Sequence, residues 1–262
     1  MNKQVTAKDV QDFWEKNPLC AEIIPFEPGT REFFEHHNIL RRKEEPEDFQ
    51  RKIYEYDKWQ EKNVLDIGCG TGYVVALYAA GGAKVSGVDI AQRSVELTND
   101  RLRLFGLEAD IRQSNAESLP FADASFDLVT SYGVLHHTPD TQKAINEAVR
   151  VLRPGGKLIL MFYNKNSFAF RILFPLKRIL QPSSWGKTSQ EQVNQVDGAG
   201  NPLGKVYSRR DLRLMVKDLD NIEFATASTF FHHEKYLPSF IKTLIINQFG
   251  WCLYVKGTKP RS

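Results

Sequence analysis

Between residues 63 and 163 the chain alternates short, continuous apolar runs with stretches whose apolar positions return every three or four residues. The runs at 64–67, 84–88, 126–131 and 157–162 are short, carry Val, Leu, Ile, Met or Phe among few polar residues and are bounded by turn signals, which predicts buried strands. The stretches at 71–80, 94–105 and 141–152 predict the helices between them. Such alternation implies a doubly wound, mostly parallel α/β sheet, because parallel neighbours are joined through a crossover helix. Residues 1–62 are polar and dotted with aromatics, with helical periodicity at 7–15 and 46–60, and predict an N-terminal helical cap. After the 63–163 core the rhythm breaks. Residues 164–207 open on a basic, aromatic helix at 167–180 and continue through a turn-rich tract, which predicts an inserted lid. Ser208 and Asp211 then have the spacing of a capping box for a new helix. Residues 208–262 complete the sheet with strands at 221–230 and 251–259 around a helix starting near Pro238.

Composition narrows the class. At 262 residues the chain is long enough for one large core, and 42% hydrophobic with 26% charged residues is ordinary globular composition. A net charge of +3 supplies no field that would select nucleic acid. The three cysteines, Cys20, Cys69 and Cys252, form no CxxC pair and predict free thiols in a reducing cytoplasm. The first ten residues lack the apolar run of a secretion signal, and Arg171, Pro175, Lys177 and Lys242 interrupt the most apolar late stretches, so no membrane span is predicted.

The chemistry begins at Asp66-Ile67-Gly68-Cys69-Gly70-Thr71-Gly72, where an apolar strand enters a glycine turn followed by a helix. Glycine lets the backbone take left-handed conformations and approach a ligand closely. The G-x-G-x-G spacing differs from the G-x-G-x-x-G dinucleotide fingerprint, and Asp66 just ahead of the turn would repel a pyrophosphate. A carboxylate there suits a cationic ligand such as S-adenosylmethionine (SAM), with its amino and sulfonium groups. Asp89, at the carboxyl end of the second strand and followed by Ile90, is placed to accept both hydroxyls of a ribose.

These residues resemble the SAM-binding loop of the Rossmann-like (class I) methyltransferases. Further blocks follow in the same order: Asn115-Ala116-Glu117-Ser118-Leu119-Pro120-Phe121, Ser125-Phe126-Asp127-Leu128-Val129, Gly133-Val134-Leu135-His136-His137 and Arg150-Val151-Leu152-Arg153-Pro154-Gly155-Gly156 resemble the ubiquinone/menaquinone-type methyltransferases and their relatives. The resemblance covers roughly residues 64–163. It implies a seven-stranded sheet with one antiparallel strand near the end. It also implies that Asp66, Gly68, Cys69, Gly70 and Gly72 meet the methionine moiety, Asp89 and Ile90 the ribose side, and Asn115, Ala116 and Glu117 the adenine, with Ser131 at the end of the fourth strand nearby. One departure is Asn115, where relatives often carry Asp. Its amide oxygen can still accept from the adenine amino group.

A sulfonium methyl is already activated, so the protein must chiefly align an acceptor and exclude water, with a base needed only for acidic acceptors. His136 and His137 follow the fourth strand where the acceptor pocket should open, and either is a candidate base, His136 first. Tyr132, Tyr163, Phe13 and Trp14 are candidate pocket walls; Asp197, Tyr207 and Arg209 are further candidates in and after the insertion. The helix at 167–180 suits a lid for a lipophilic acceptor, a peripheral contact with an anionic membrane, or plain packing. The pairs His36-His37 and His232-His233 lack the companions a metal needs, so no metal is expected. The reading is a SAM-dependent methyltransferase for a small-molecule acceptor, lipophilic or quinone-like. A nicotinamide-dependent oxidoreductase and a non-catalytic SAM-binding protein are the rivals. The asparagine-proline-proline-aromatic tetrad of amino-methylating enzymes is absent, and no basic stripe points to RNA.

Overall fold

The computed structural model describes residues 4–228, 246 and 248–261. The sheet runs β3-β2-β1-β4-β5-β8-β7, with a short β6 paired to the end of β5. The strands are β1 (Asn63–Ile67), β2 (Lys84–Asp89), β3 (Asp110–Gln113), β4 (Phe126–Tyr132), β5 (Leu152–Asn164), β6 (Val206–Tyr207), β7 (Asp220–Ala227) and β8 (Cys252–Thr258). The pairings of β1 to β5 are parallel, whereas β8 runs antiparallel to both of its neighbours, β5 and β7. The expected seven-strand order with one reversed late strand is present, and β6 is an addition.

Helices cover both faces, which is why nearly every position of β1 and β4 is buried or half-buried. One face packs α4 (Tyr73–Ala80), α5 (Gln92–Phe105) and α3 (Glu47–Tyr54) through Val74, Val75, Tyr78, Leu102, Ile53 and Tyr54. The other packs α6 (Thr141–Val151) and α9 (Arg209–Met215) through Ala144, Ile145, Ala148, Val151 and Leu212. Ser208 caps α9 in the reciprocal arrangement its spacing predicts.

Two helices precede α3: α1 (Ala7–Lys16) and α2 (Arg31–Glu44). Phe33 and Phe34 of α2 bury against Leu97 of α5, fastening this region to the sheet layer. The helix expected at 46–60 stops at Tyr54, because Glu55 turns left-handed (φ 53°). Its carboxylate then bridges Lys157 at 2.8 Å and Lys256 at 3.1 Å. The 167–180 helix begins as a π-turn, Ala169–Leu173, and continues as α7 (Phe174–Leu180). A further helix, α8 (Ser189–Asn194), is capped by Thr188. The His232-His233 pair, residues 229–230 of the predicted strand and the helix expected from Pro238 lie outside the described residues.

Candidate functional site

Strand order reverses between β1 and β4, so the loops leaving these two strands part and open a crevice at their carboxyl ends. Gly68 and Val134 interlock there: a Cβ on Gly68 would lie 2.2 Å from Val134 Cγ2, and Gly68 has φ +80°. Gly72 (φ +76°) closes the turn against α5, where a Cβ would lie 3.0 Å from Thr98 Cγ2. Gly70 differs. It also has a positive φ, but a Cβ there would meet nothing nearer than Leu19 Cδ2 at 4.0 Å, so this stretch of backbone faces open space. The turn is fixed from behind. The Gly68 and Cys69 amides donate to the Val88 carbonyl, Thr98 Oγ1 donates to Gly70 O at 3.0 Å and Arg101 Nε donates to Thr71 O at 2.6 Å.

Two buried carboxyls flank the turn. Asp89 Oδ2 accepts from the Gly70 amide at 2.9 Å and Oδ1 from the Ala91 amide at 3.0 Å. Burial raises its pKa while these amides pull it back. Asp66 has no such relief. Burial, then the neighbouring Asp89, pushes its carboxyl well above the usual range, and its Oδ1 has no hydrogen-bond partner. Buried carboxylate oxygens are normally partnered, so an orphaned one beside an open glycine backbone fits a cationic ligand.

The neighbouring predicted residues are tied into the same crevice wall. Asn115 Oδ1 accepts from the Glu117 amide at 2.9 Å, and Glu117 Oε1 accepts from the Asp140 amide at 2.8 Å. Ala116 is buried in the core behind them, and Gln113 Nε2 donates to the Ile90 carbonyl at 3.0 Å. Ser131 Oγ donates to Ile67 O at 2.7 Å, joining the ends of β1 and β4. Cys69 is a buried free thiol whose side chain packs below Gly87.

On the far side of the crevice, His136 and His137 form a 3-10 turn after β4. His136 is fully buried, its ring 4.1 Å from that of Tyr163 and 4.2 Å from that of His137. Neither of its ring nitrogens has a hydrogen-bond partner. Burial, reinforced by His137 and Lys205, holds its pKa well below the usual histidine range, so the ring is neutral. His137 is committed instead: Nδ1 pairs with the Leu203 carbonyl, and Nε2 lies 3.3 Å from Asp197 Oδ2. Tyr163 Oη donates to Asp197 Oδ1 at 2.5 Å, so one carboxylate of the 164–207 insertion holds two site residues.

The N-terminal helix reaches the same place. Trp14 packs edge-on against His137 with centroids 5.5 Å apart, and Phe13 Cζ lies 3.4 Å from where a Gly198 Cβ would be. Glu15 accepts from the amides of Gln92 (2.8 Å) and Arg93 (3.2 Å), capping α5, which has no cap of its own at Ala91. Tyr132 lies beneath the Arg41 guanidinium, 3.8 Å from its ring centroid. Arg41 pairs with the buried Glu45 at 3.2 Å, and Glu45 also accepts from Tyr254 Oη. Sequence reasoning missed Glu15, Arg41, Glu45 and Tyr254 altogether; apart from the helical pairing of Arg41 with Glu44 and Glu45, the hydrogen bonds that tie them together span 9 to 209 residues, and no spacing rule joins those. Among the described residues no group of three His, Cys, Asp or Glu side chains gathers to hold a metal, and no helix is long and apolar enough to cross a membrane.

A mostly parallel sheet with this strand order, an open glycine turn and two buried acids at the switch point defines a Rossmann-like enzyme for a nucleoside-bearing ligand. Comparison with known proteins narrows this. Residues 65–160 match the methyltransferase-domain family. The chain is 32% identical over 166 residues to the ubiquinone biosynthesis O-methyltransferase of Stutzerimonas stutzeri, covering 56% of this chain and 72% of that protein. It is 42% identical over 102 residues to the 27-O-demethylrifamycin SV methyltransferase of Amycolatopsis mediterranei, covering 37% of each. A SAM-dependent methyltransferase from Methanosarcina mazei shares the fold, with TM-score 0.57, 23% identity, and 80% and 98% of the two chains covered. The chain belongs to the class I SAM-dependent methyltransferases, and SAM is its methyl donor.

Proposed function

We propose that this methyltransferase acts on a hydroxyl, preferably phenolic, of a small lipophilic acceptor, and that His136 takes the acceptor's proton. The observation that carries this reading is the state of His136, buried and neutral with both ring nitrogens unbonded. An amine or thioether acceptor gains little from such a base, whereas a hydroxyl needs its proton removed as the oxygen becomes an ether. The aromatic surroundings, Tyr163 against His136 and Trp14 against His137, suit a flat apolar ring. Both relatives named above carry O-methyltransferase descriptions or an O-demethylated substrate in their names, which agrees with an oxygen acceptor.

When bound, SAM supplies an activated methyl on a sulfonium. Asp89 and Ile90 would hold its ribose side, Asn115, Ala116 and Glu117 its adenine, and Asp66 with the Gly68–Gly72 turn its cationic end. His137 and Asp197 fix the insertion over the acceptor, and Phe13 and Trp14 close the other side against water. The stretches 1–62 and 164–207 thus act as cap and lid for the 63–163 core, with 208–262 completing the sheet.

The test is to incubate the protein with SAM and a panel of phenols, aliphatic alcohols, amines and thiols, following S-adenosylhomocysteine release and product mass. Methyl ethers of phenols are the expected products. Turnover confined to amines or thiols would overturn the reading.

A pH prediction follows from Asp66. A cation beside it favours the ionised carboxylate, so binding lowers the pKa that burial has raised. SAM affinity therefore falls as pH drops through the raised pKa, because the free protein must then give up a proton to bind. Calorimetric titration across pH, repeated on Asp66→Asn, checks this; the variant is expected to bind more weakly and without that dependence.

A further inference from the structure

The outer side of the 164–207 insertion contributes none of the side chains assigned a role in the proposed reaction. Ile172, Leu176, Ile179 and Leu180 recur with the spacing of one helical face, and they are 50%, 45%, 71% and 66% exposed. Trp185 stands beside them, 64% exposed, with its indole N–H donating to the Ile179 carbonyl at 3.3 Å. The inward side of the same helix is Phe174, buried with its ring 5.7 Å from that of Trp251. Large apolar side chains gathered on one exposed face mark a contact surface, since water is a poor neighbour for them.

Charge says what kind of partner fits. Between residues 165 and 190 the chain carries Lys165, Arg171, Lys177, Arg178 and Lys187 and no Asp or Glu, within a protein of net charge +3; Glu191 follows at the edge and feels the charges of Lys187 and Arg178. Lys165, Arg171, Lys177 and Arg178 are exposed. A second copy docked through the same face would bring Arg171, Lys177 and Arg178 against their own kind, an excess of like charge that Glu191 at the edge offsets only in part. An apolar helical face flanked by cations, with an indole at its edge, matches the layering of an anionic bilayer surface. The helix is too short to span one.

We propose that the face formed by Ile172, Leu176, Ile179, Leu180 and Trp185 docks this protein onto an anionic lipid surface. The apolar side chains enter the boundary between headgroups and acyl chains, and Arg171, Lys177 and Arg178 meet headgroup phosphates. This contact is independent of the acceptor's identity.

Cosedimentation of the full chain with vesicles of phosphatidylcholine, with and without phosphatidylglycerol, tests it. Binding is expected on the anionic vesicles, at least tenfold weaker on phosphatidylcholine alone, and weakening with added salt. The double variant Ile179→Ser/Leu180→Ser is expected to lose at least tenfold on anionic vesicles. Lys177→Gln/Arg178→Gln is expected to lose about fivefold per cation and to flatten the salt dependence. S-adenosylhomocysteine affinity unchanged in every variant shows that the fold is intact. No binding to anionic vesicles, or variants that bind as the parent does, would overturn the proposal. So would parent protein that self-associates without lipid and is made monomeric by Ile179→Ser/Leu180→Ser.

Discussion

Alanine in place of His136 is expected to lower kcat by about 100- to 10,000-fold, the range a positioned general base contributes, while S-adenosylhomocysteine affinity stays unchanged. The separation of the two effects follows from geometry. His136 stacks on Tyr163 and His137, on the β4 and β5 side of the crevice, and makes no bond to the glycine turn. The pH profile carries a second signature. Because burial lowers its pKa, His136 remains neutral and competent below the ordinary histidine value of 6.5. The acid limb of kcat/KM for the acceptor, measured at saturating SAM, is therefore expected below pH 6.5 in the parent and is absent from the residual activity of the variant. His136→Asn keeps a polar side chain and much of the volume without the base, and separates chemistry from the packing defect that alanine introduces. Full activity in both variants would remove His136 from the reaction. If His137→Ala alone were inactive, the two histidines would exchange roles.

Asp89→Ala is expected to weaken SAM binding by about 100-fold or more, measured by calorimetry. Hydrogen bonds to a charged group contribute roughly 1.5–3 kcal/mol each, and a ribose diol offers two of them. A further loss comes through the backbone, because the same carboxylate holds the Gly70 amide at 2.9 Å and so sets the one stretch of the turn that faces open space. Stability should change less than affinity. Burial already disfavours the ionised carboxyl, so its removal relieves a desolvation cost while it loses two amide contacts. Unchanged affinity would take Asp89 out of the donor site and leave it as a clamp between the turn and β2.

The parts of this fold that were legible in the sequence are those whose burial is simple. Strands β1, β2, β4 and β5 have helices on both sides of the sheet, so most of their positions are buried and each carries apolar residues that mark it in the sequence. By contrast, β3 lies at the sheet edge with Asp110, Arg112 and Gln113 exposed, and shows no apolar pattern. Helix α2 escaped for another reason. Its buried face is Phe33, Phe34, His37 and Arg41, and two of those four read as solvent residues in a hydrophobicity pattern. Arg41 can be buried because Glu45 and the Tyr132 ring meet it, a fact of tertiary structure alone. The donor side of the site was legible because strand ends and glycines fix it locally. The proposed acceptor side draws on Asp197, Trp14 and Arg41, which come from three separate excursions of the chain, and only the resemblance and strand-end positions hinted at it.

The place of β8 bears on how the molecule is made. Residues 252–258 insert between β5 and β7, antiparallel to both, so those two strands cannot be bridged until this last strand has been synthesised. Tyr254, carried on it, supplies a bond to Glu45 from 209 residues away. On a ribosome, the segment from β1 to β5 can collapse early through its near-neighbour pairings. The buried Arg41–Glu45 pair must wait, solvated or half-covered, for the closing strand. Folding should therefore have a late, slow step dominated by long-range pairing. A nascent chain stalled before residue 252 would expose the open edge of β5 as a sticking point for other chains.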